Sequence, residues 1–226
     1  MAVERKLFLY AGIITVLLFV MIYSLNVFLS REREDSLSTR MDSLIDDFEE
    51  MQALFLMSGI FDTNGTCIAL QTWMSQMDKS LWDLGIKLDQ YQKVTEEYLK
   101  DPFYLEQKKK FNRRQVIYYS ILKEAKDRCS LNATSLLFFY RKSEECPDCD
   151  AMSFVLTDLK REVNEEVAIF SFDTNLDLPS IQVLPVFFNV TSYPCIVVEG
   201  KTHCGLYNKN ELTKFVCDAG QLSICS

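Results

Sequence analysis

The sequence predicts an α/β domain over residues 133–226, preceded by an N-terminal transmembrane helix and an all-α region of bundle or coiled-coil type. Three observations support this prediction. An uncharged apolar run opens the chain, heptad-spaced apolar residues follow it, and short apolar runs then alternate with helical stretches. The expected organisation is a cytoplasmic N-terminus (1–6), a membrane anchor (7–30), an extracytoplasmic helical region (31–130) and the α/β domain.

The predicted anchor extends from Leu7 to Ser30 without a charged residue. This run is longer than the roughly 20 residues that a helix needs to cross a bilayer. A signal peptide would have a shorter apolar core and a small-x-small cleavage site, and no convincing site follows the run. We therefore expect an uncleaved, single-pass membrane protein. Basic residues flank the run about equally, so they do not set its orientation.

Cysteine content and charge indicate the compartment and limit the partners. The chain has eight cysteines, which favour the oxidising side of the membrane for everything after the anchor and leave the N-terminus in the cytoplasm. Sequons at Asn64, Asn132 and Asn189 are candidate glycosylation sites that agree with this orientation. A net charge of −8 argues against a nucleic-acid partner. With one histidine and one C-x-x-C pair, we expect no metal and no cofactor.

The helical region carries apolar residues that alternate four and three positions apart, which is a heptad seam. The seam consists of Leu37, Met41, Leu44, Phe48, Met51 and Phe55, then Leu70, Met74, Met77, Leu81, Leu84, Leu88 and Tyr91. "FDTNGT" (61–66) predicts a turn, and Asp101 and Pro102 predict the start of a third helix that runs to about Arg128. We expect a three-helix antiparallel bundle. A coiled-coil dimer through the first helix is the alternative.

The remaining residues predict short elements in the order β-(C-x-x-C)-α-β-α-β-β-α. The first strand is "SLLFFY" (135–140), which ends just before the cysteine pair, and the second is "VAIFSFD" (167–173). A hairpin is expected from "CIVV" (195–198) across Gly200, and the last helix is "KNELTKFVCD" (209–218). Helices are also expected at 151–163 and 179–188.

The pair within "CPDC" (146–149) has the spacing that disulfide exchange requires. Cysteines at i and i+3 face each other across one helical turn, and a helix N-terminus stabilises the thiolate of the first. Cys146 is therefore the candidate attacking thiol and Cys149 the resolving one. Pro147 suits the first turn of the helix. The alternative is a static disulfide, which would close too small a loop to stabilise much.

The segment from about Ser135 to Asp218 resembles the thioredoxin fold, in its motif "CPDC", its element order and the proline of "YPCIVV" (193–198). The resemblance implies that Pro194 is cis and that the backbone of Tyr193 helps to hold an extended substrate beside Cys146. Glu145 stands where thioredoxins usually have tryptophan, and the family's buried aspartate is absent from the strand. Those departures put the role of a general cytosolic reductant in doubt.

Acidic residues around the motif are expected to tune its chemistry. Nearby negative charge raises the pKa of a thiol, and the acids here are Glu144, Glu145, Asp148 and Asp150. Strongly oxidising relatives have a histidine inside the motif, where this chain has Asp148. We therefore expect a reductant or isomerase in preference to a strong oxidant.

The other cysteines are expected to be structural. A helical hairpin that turns near residue 101 would bring Cys67 and Cys129 together in a disulfide. The pairing of Cys195, Cys204, Cys217 and Cys225 stays open: a 204–217 or 204–225 bridge would tie the last helix to the hairpin, and Cys195 is expected in the core. His203 is expected to be an ordinary strand residue.

Together these features predict a membrane-anchored extracytoplasmic thiol:disulfide oxidoreductase. Its partners would be cysteine-containing client proteins of the exported or membrane class, membrane lipid around the anchor, and an unknown redox partner. The alternative is a thioredoxin-like binding subunit of a membrane complex, similar to those of oligosaccharyltransferases, which holds clients by transient disulfides. We also expect the redox domain at the distal end of the bundle, with "KKKFNRR" (108–114) facing solvent or lipid near the membrane.

Overall fold

A computed structural model describes residues 2–57, 63–94, 100–129, 131, 133–220 and 222–225. The sequon at Asn132 and the first residues of the expected 61–66 turn lie outside these ranges. The chain divides into two units, Met1–Arg40 and Met41–Ser226. The second unit contains both the helical hairpin and the sheet.

The first helix, α1, spans Ala2–Met57. Within Phe8–Ala53, an 18-residue stretch has a mean hydropathy of 2.3, and the helix is long and apolar enough to cross a membrane, on length and composition. Side chains 8–26 are exposed, so this segment has the surface that lipid would cover. A cleaved signal sequence would have a similar composition, and the anchor and its orientation stay predictions.

Two further helices, α2 (Thr63–Val94) and α3 (Pro102–Cys129), complete the helical region. From Met41 onward the predicted seam is buried, and only Phe55 is half-buried. The expected turn at 61–66 is wrong in its second half, since residues 63–66 already belong to the first turn of α2. Threonine and asparagine favour helix N-termini as well as turns, which explains the error.

The hairpin of α2 and α3 is closed at both ends. At one end, Asp101 caps α3 by accepting a hydrogen bond from the Phe103 N–H at 2.9 Å, and it also accepts one from the Tyr91 hydroxyl at 2.7 Å. At the other end, Cys67 and Cys129 form a disulfide with their Cα atoms 5.4 Å apart. A bridge across 62 positions stabilises by about 4 kcal/mol in the loop-entropy model.

The sheet has four strands in the order β2-β1-β3-β4. Parallel β1 and β2 are followed by the antiparallel hairpin of β3 and β4. The strands are β1 (Thr134–Tyr140), β2 (Val167–Asp173), β3 (Cys195–Val198) and β4 (Lys201–Cys204), and the helices are α4 (Cys149–Val163), α5 (Pro179–Phe187) and α6 (Lys209–Ala219). This is the element order that the sequence predicts.

The two faces of β1 contribute to different cores because strand side chains alternate. Leu136 and Phe138 pack in a cluster with residues of α4 and α6. On the other face, Phe139 contacts the rings of Phe172 and Phe188. Apolar residues on both faces make β1 a central strand, flanked by helices on each side.

The β2 edge is covered by α3. Gln115 accepts a hydrogen bond from the Ser171 N–H at 3.0 Å, and Asn112 accepts one from the Asp173 N–H at 3.1 Å. An edge strand otherwise exposes unpaired backbone groups. Both amides are buried, so the helix replaces a missing neighbouring strand along this edge.

The expected environment of residues 108–114 is therefore wrong for Lys108 and Asn112, which pack against β2 rather than facing solvent or lipid. The expected position of the redox domain is wrong as well. Near the C-terminal end of α3, Lys126 pairs with Glu199 at 2.6 Å, so the sheet lies beside α3 along its length and not beyond its distal end. Burial of the sheet edge against a helix explains both errors.

Candidate active site

The cysteine motif lies between the end of β1 and the start of α4. Cys146 and Cys149 form a disulfide with their Cα atoms 5.4 Å apart, and both are almost fully buried in this state, with 1% and 3% of their surface exposed. Pro147 and Asp148 form an exposed turn between them. The motif therefore presents its two intervening residues, rather than its sulfur atoms, to solvent.

The helix α4 begins before the predicted residue 151 but after Pro147. Cys149 is the first residue of α4 and Asp148 is its N-cap, with no side-chain capping bond. Pro147 therefore precedes the helix, and its expected place in the first helical turn is wrong. The Cys149 N–H donates a hydrogen bond to the Cys146 carbonyl at 3.2 Å, which closes a tight turn across the motif.

The loop before the motif is held by backbone hydrogen bonds. The N–H groups of Glu145 and Cys146 both donate to the Lys142 carbonyl at 2.9 Å. The Lys142 N–H donates to the Asn175 side chain at 2.8 Å, which ties this loop to the segment after β2. Cys146 therefore has a fixed backbone position although it lies outside regular secondary structure.

An arginine that the sequence analysis did not single out organises one side of this loop. Arg141 pairs with Glu145 at 3.0 Å, and Asn175 donates to the same carboxylate at 2.8 Å. The Arg141 guanidinium also lies 4.5 Å from the centre of the Tyr193 ring. The negative charge of Glu145 is thus offset by a cation. The sequence offered one sign of this role: Arg141 stands directly after the first predicted strand and shortly before the cysteine motif.

The segment before β3 meets the motif loop through that arginine. The Tyr193–Pro194 peptide bond is cis, Pro194 is buried and Tyr193 is half-buried. The Pro194 carbonyl accepts from the Gly205 N–H at 2.8 Å, which ties the segment to the end of β4. Tyr193 and Glu145, the residue preceding Cys146, therefore both contact Arg141.

Of the remaining motif acids, Asp150 accepts a hydrogen bond from the Ser143 hydroxyl at 3.2 Å. Glu144 and Asp148 are exposed. Water screens exposed charges strongly, so their effect on the thiol is small.

A buried charged cluster lies at the same end of the sheet. Lys108 pairs with Asp173 and its ammonium is 5.5 Å from the Tyr140 ring centre. Burial alone would lower the pKa of Lys108, but the Tyr140 hydroxyl and the Asp173 carboxylate outweigh it and raise that pKa above its ordinary value. Burial raises the pKa of Tyr140, with Lys108 acting against it. Lys108 is therefore charged and Tyr140 neutral at neutral pH.

The four cysteines left open by the sequence pair as Cys195–Cys204 and Cys217–Cys225. Neither the 204–217 nor the 204–225 bridge, the two possibilities that the sequence left open, is formed. Cys195 and Cys204 are direct partners in the β3–β4 register, with Cα atoms 4.0 Å apart. Cys195 is buried in the sheet.

The remaining predicted residues have simpler surroundings. His203 stacks on the Phe215 ring at 4.0 Å, and burial together with Lys201 lowers its pKa. Asn189 is exposed after α5, and Asn64 lies in the first turn of α2. Within the described ranges, no group of three or more histidine, cysteine or acidic residues could hold a metal ion.

No family model matches the chain, and no curated protein matches it. Among solved structures, it is similar to a malarial protein, with 18% identity and a TM-score of 0.34, over 39% of this chain and 98% of the other. It is also similar to thioredoxin-2, a component of malaria parasite protein secretion machinery, with 20% identity and a TM-score of 0.34, over 38% of this chain and 84% of the other. Neither likeness bears on activity.

The fold of the sheet domain is thioredoxin-like. Its own geometry supports that statement: the strand order is β2-β1-β3-β4, the cysteine motif precedes α4, and a proline precedes β3. The helical hairpin along β2 lies outside the segment that carries this resemblance.

Proposed function

We propose that the chain is a membrane-anchored, extracytoplasmic thiol:disulfide oxidoreductase that acts on cysteines of exported or membrane proteins. The observation that carries the proposal is the position of Cys146 and Cys149 between β1 and the N-terminus of α4. Unpaired N–H groups and the dipole at a helix N-terminus stabilise a nearby thiolate. The two cysteines together can hold and release one pair of electrons.

In the reductive direction, the Cys146 thiolate attacks one sulfur of a client disulfide. The client S–S bond breaks, a mixed disulfide forms, and the first client sulfur leaves as a thiolate that takes up a proton. The Cys149 thiolate then attacks the Cys146 sulfur and releases the second client thiol. The client gains two electrons, and the chain returns to the Cys146–Cys149 disulfide. A dithiol donor must reduce it again.

Tyr193 and Pro194 are proposed to position the client. Tyr193 contacts Arg141, and Arg141 pairs with Glu145, the residue before Cys146, which brings the segment before β3 close to the cysteine loop. An extended client backbone alongside Tyr193 would place its sulfur next to Cys146. The exposed acids Glu144 and Asp148 add a small preference for a reductant or isomerase, since negative charge disfavours the thiolate and with it the reduced form.

Trapping tests this proposal. The full chain with Cys149→Ser should form mixed disulfides with client proteins that survive denaturation without reductant and disappear with it. Cys146→Ser is the matched control, because it keeps one of the two motif cysteines but removes the attacking thiol. It should trap at least tenfold less client protein. Equal trapping by both variants, or by neither, would refute an exchange mechanism through Cys146.

The binding-subunit alternative requires a docking surface outside the hairpin seam. The predicted seam residues of α2, and those of α1 from Met41 to Met51, are buried within the second unit, whereas Leu56 and Ile68 are exposed. Stable purification with one large complex, with no loss of that association in Cys146→Ser, would favour a binding role over catalysis.

A further inference from the structure

The position of the redox site within the second unit follows from the relation between α3 and β1. Near the end of α3, Lys126 contacts Glu199, which also accepts from the Ser135 N–H at the start of β1. Near the beginning of α3, Lys108 contacts Asp173, at the end of β2. The parallel strands β1 and β2 therefore run antiparallel to α3. The cysteine loop, which follows β1, therefore lies at the end of the unit where α3 begins.

The chain enters this unit at the same end. The Phe48 ring contacts the Tyr118 ring at 6.5 Å between centroids, and Arg128 lies over the Phe55 ring at 5.4 Å. This part of α1 therefore runs parallel to α3. Met41 precedes Phe48 by two helical turns, about 10 Å at ~1.5 Å per residue. That places Met41 level with the first turns of α3, where Lys108 reaches Asp173.

Chain length then limits how far the site lies from the predicted membrane segment. Residues 31–40 separate the apolar run from Met41. They span about 15 Å as a helix and no more than about 35 Å when fully extended. The chain therefore tethers Met41, and with it the end of the second unit that carries the cysteine loop, to the apolar run by at most about 35 Å. Within the second unit, the far end of the hairpin lies farther from the level of Met41 by the length of α3, about 40 Å.

We propose that the substrates are disulfides close to the bilayer surface, in the segments of membrane proteins that adjoin their membrane spans. This inference rests on the proposed function and names its substrate class. A client anchored in the same bilayer would present its cysteines within the distance that residues 31–40 allow the Cys146 loop to reach. Disulfides held far above the membrane would be reached less often, because the length of residues 31–40 limits how far the cysteine loop can move from the apolar run.

The test uses the full chain in its dithiol form, reconstituted in phosphatidylcholine vesicles. Reporter peptides carry a cysteine pair closed as a disulfide on a membrane-spanning helix. The pair stands either next to the bilayer or above a rigid helical spacer of about 54 Å, which corresponds to ~36 residues. We expect the near reporter to be reduced at least tenfold faster than the far one. Equal rates, or a faster far reporter, would overturn the inference.

Two insertions between Glu34 and Asp35 provide matched variants. A rigid helical insert of ~18 residues adds about 27 Å in five whole turns and keeps the helical phase. It should slow reduction of the near reporter at least tenfold. A Gly/Ser insert of the same number of residues is flexible, so the cysteine loop can still come close to the bilayer. It should largely preserve the rate at which the near reporter is reduced. A rigid insert without effect would contradict the inference.

Reduction of a soluble reporter, oxidised glutathione, separates this inference from the proposed function. All three proteins should reduce it at the same rate, since the insertions lie outside the second unit. If none of them exchanges thiols with it, the proposed function fails. If all do while near and far reporters react alike, the oxidoreductase stands and the membrane-proximal substrate class is excluded.

Discussion

Lys108 of α3 and Asp173 at the end of β2 form an ion pair whose side chains are only 12% and 4% exposed. This contact joins the helical hairpin to the sheet beside the cysteine loop. Asp173 also accepts a hydrogen bond from the Asn175 N–H at 2.9 Å, and Asn175 contacts Glu145. The helical region therefore supports the loop that carries Cys146.

Lys108→Met should destabilise the second unit by about 3–5 kcal/mol, because it leaves the Asp173 carboxylate buried without its cation. Since the pKa of Lys108 is raised, this contribution is present below the unfolded-state pKa of 10.5 and is lost only as the pH rises above it. Urea unfolding of the full chain in micelles measures the change. Lys93→Met, which removes an exposed pair with Asp89, is the control and should cost less than ~1 kcal/mol.

Asn112→Ala should expose the β2 edge locally. The Asp173 N–H would lose its acceptor in a buried position, at a cost of about 1–3 kcal/mol. Amide hydrogen exchange should accelerate at Asp173 and remain nearly unchanged at the centre of β1. Arg113→Ala alters an exposed neighbour on the same helix and should leave the protection of Asp173 intact. Unchanged exchange in Asn112→Ala would mean that the helix does not protect this edge.

Arg141→Gln should raise the pKa of the Cys146 thiol, and Glu145→Gln should lower it. The first change removes a cation and leaves Glu145 unpaired, whereas the second removes the anion and leaves Arg141 unpaired. Exposed charges interact by only ~1 kcal/mol at 4 Å, so each shift should be below about one pH unit. The pH dependence of alkylation of the reduced protein, in a Cys149→Ser background, measures both. Shifts of the same sign would contradict an electrostatic effect of these two side chains on the thiol.

Asp148→His should make the cysteine pair more oxidising. The substitution replaces an exposed anion between the cysteines with a group that can carry positive charge, which stabilises the thiolate and hence the reduced form. Redox titration against glutathione measures both proteins. We expect the unmodified pair to lie nearer the ~ −270 mV of thioredoxin than the ~ −120 mV of strong periplasmic oxidants. An unchanged or lower potential in the histidine variant would contradict this prediction.

His203→Phe should remove part of the acid sensitivity of the fold. The pKa of His203 is lowered from 6.5 in the folded state, so the unfolded chain binds the proton more readily. Stability should therefore decline as the pH falls through about 6.5 toward 5. Phenylalanine can keep the stack on Phe215 and should flatten that decline. Because the chain has a single histidine, the comparison isolates this group. Identical pH profiles would mean that His203 titrates alike in both states.

Local patterns in the sequence determined much of the fold. Heptad spacing identified the residues that α1 and α2 bury, because apolar residues on one helical face must be covered by a neighbour. Alternating apolar runs and helical stretches predicted the element order of the sheet domain. The CPDC motif located the candidate redox pair, since its spacing has chemical meaning within one turn of chain.

Only the tertiary structure decided what depends on distant segments. The Cys195–Cys204 pair follows from the β3–β4 register, which no cysteine spacing specifies. Lys108 is buried because α3 covers the edge of β2. A run of charged residues in the sequence does not show whether one of its members is buried or all of them face solvent. The position of the redox site within the second unit depends on β1 running back along α3. Periodicity records which face of an element is covered, but the partner that covers it is set by long-range packing.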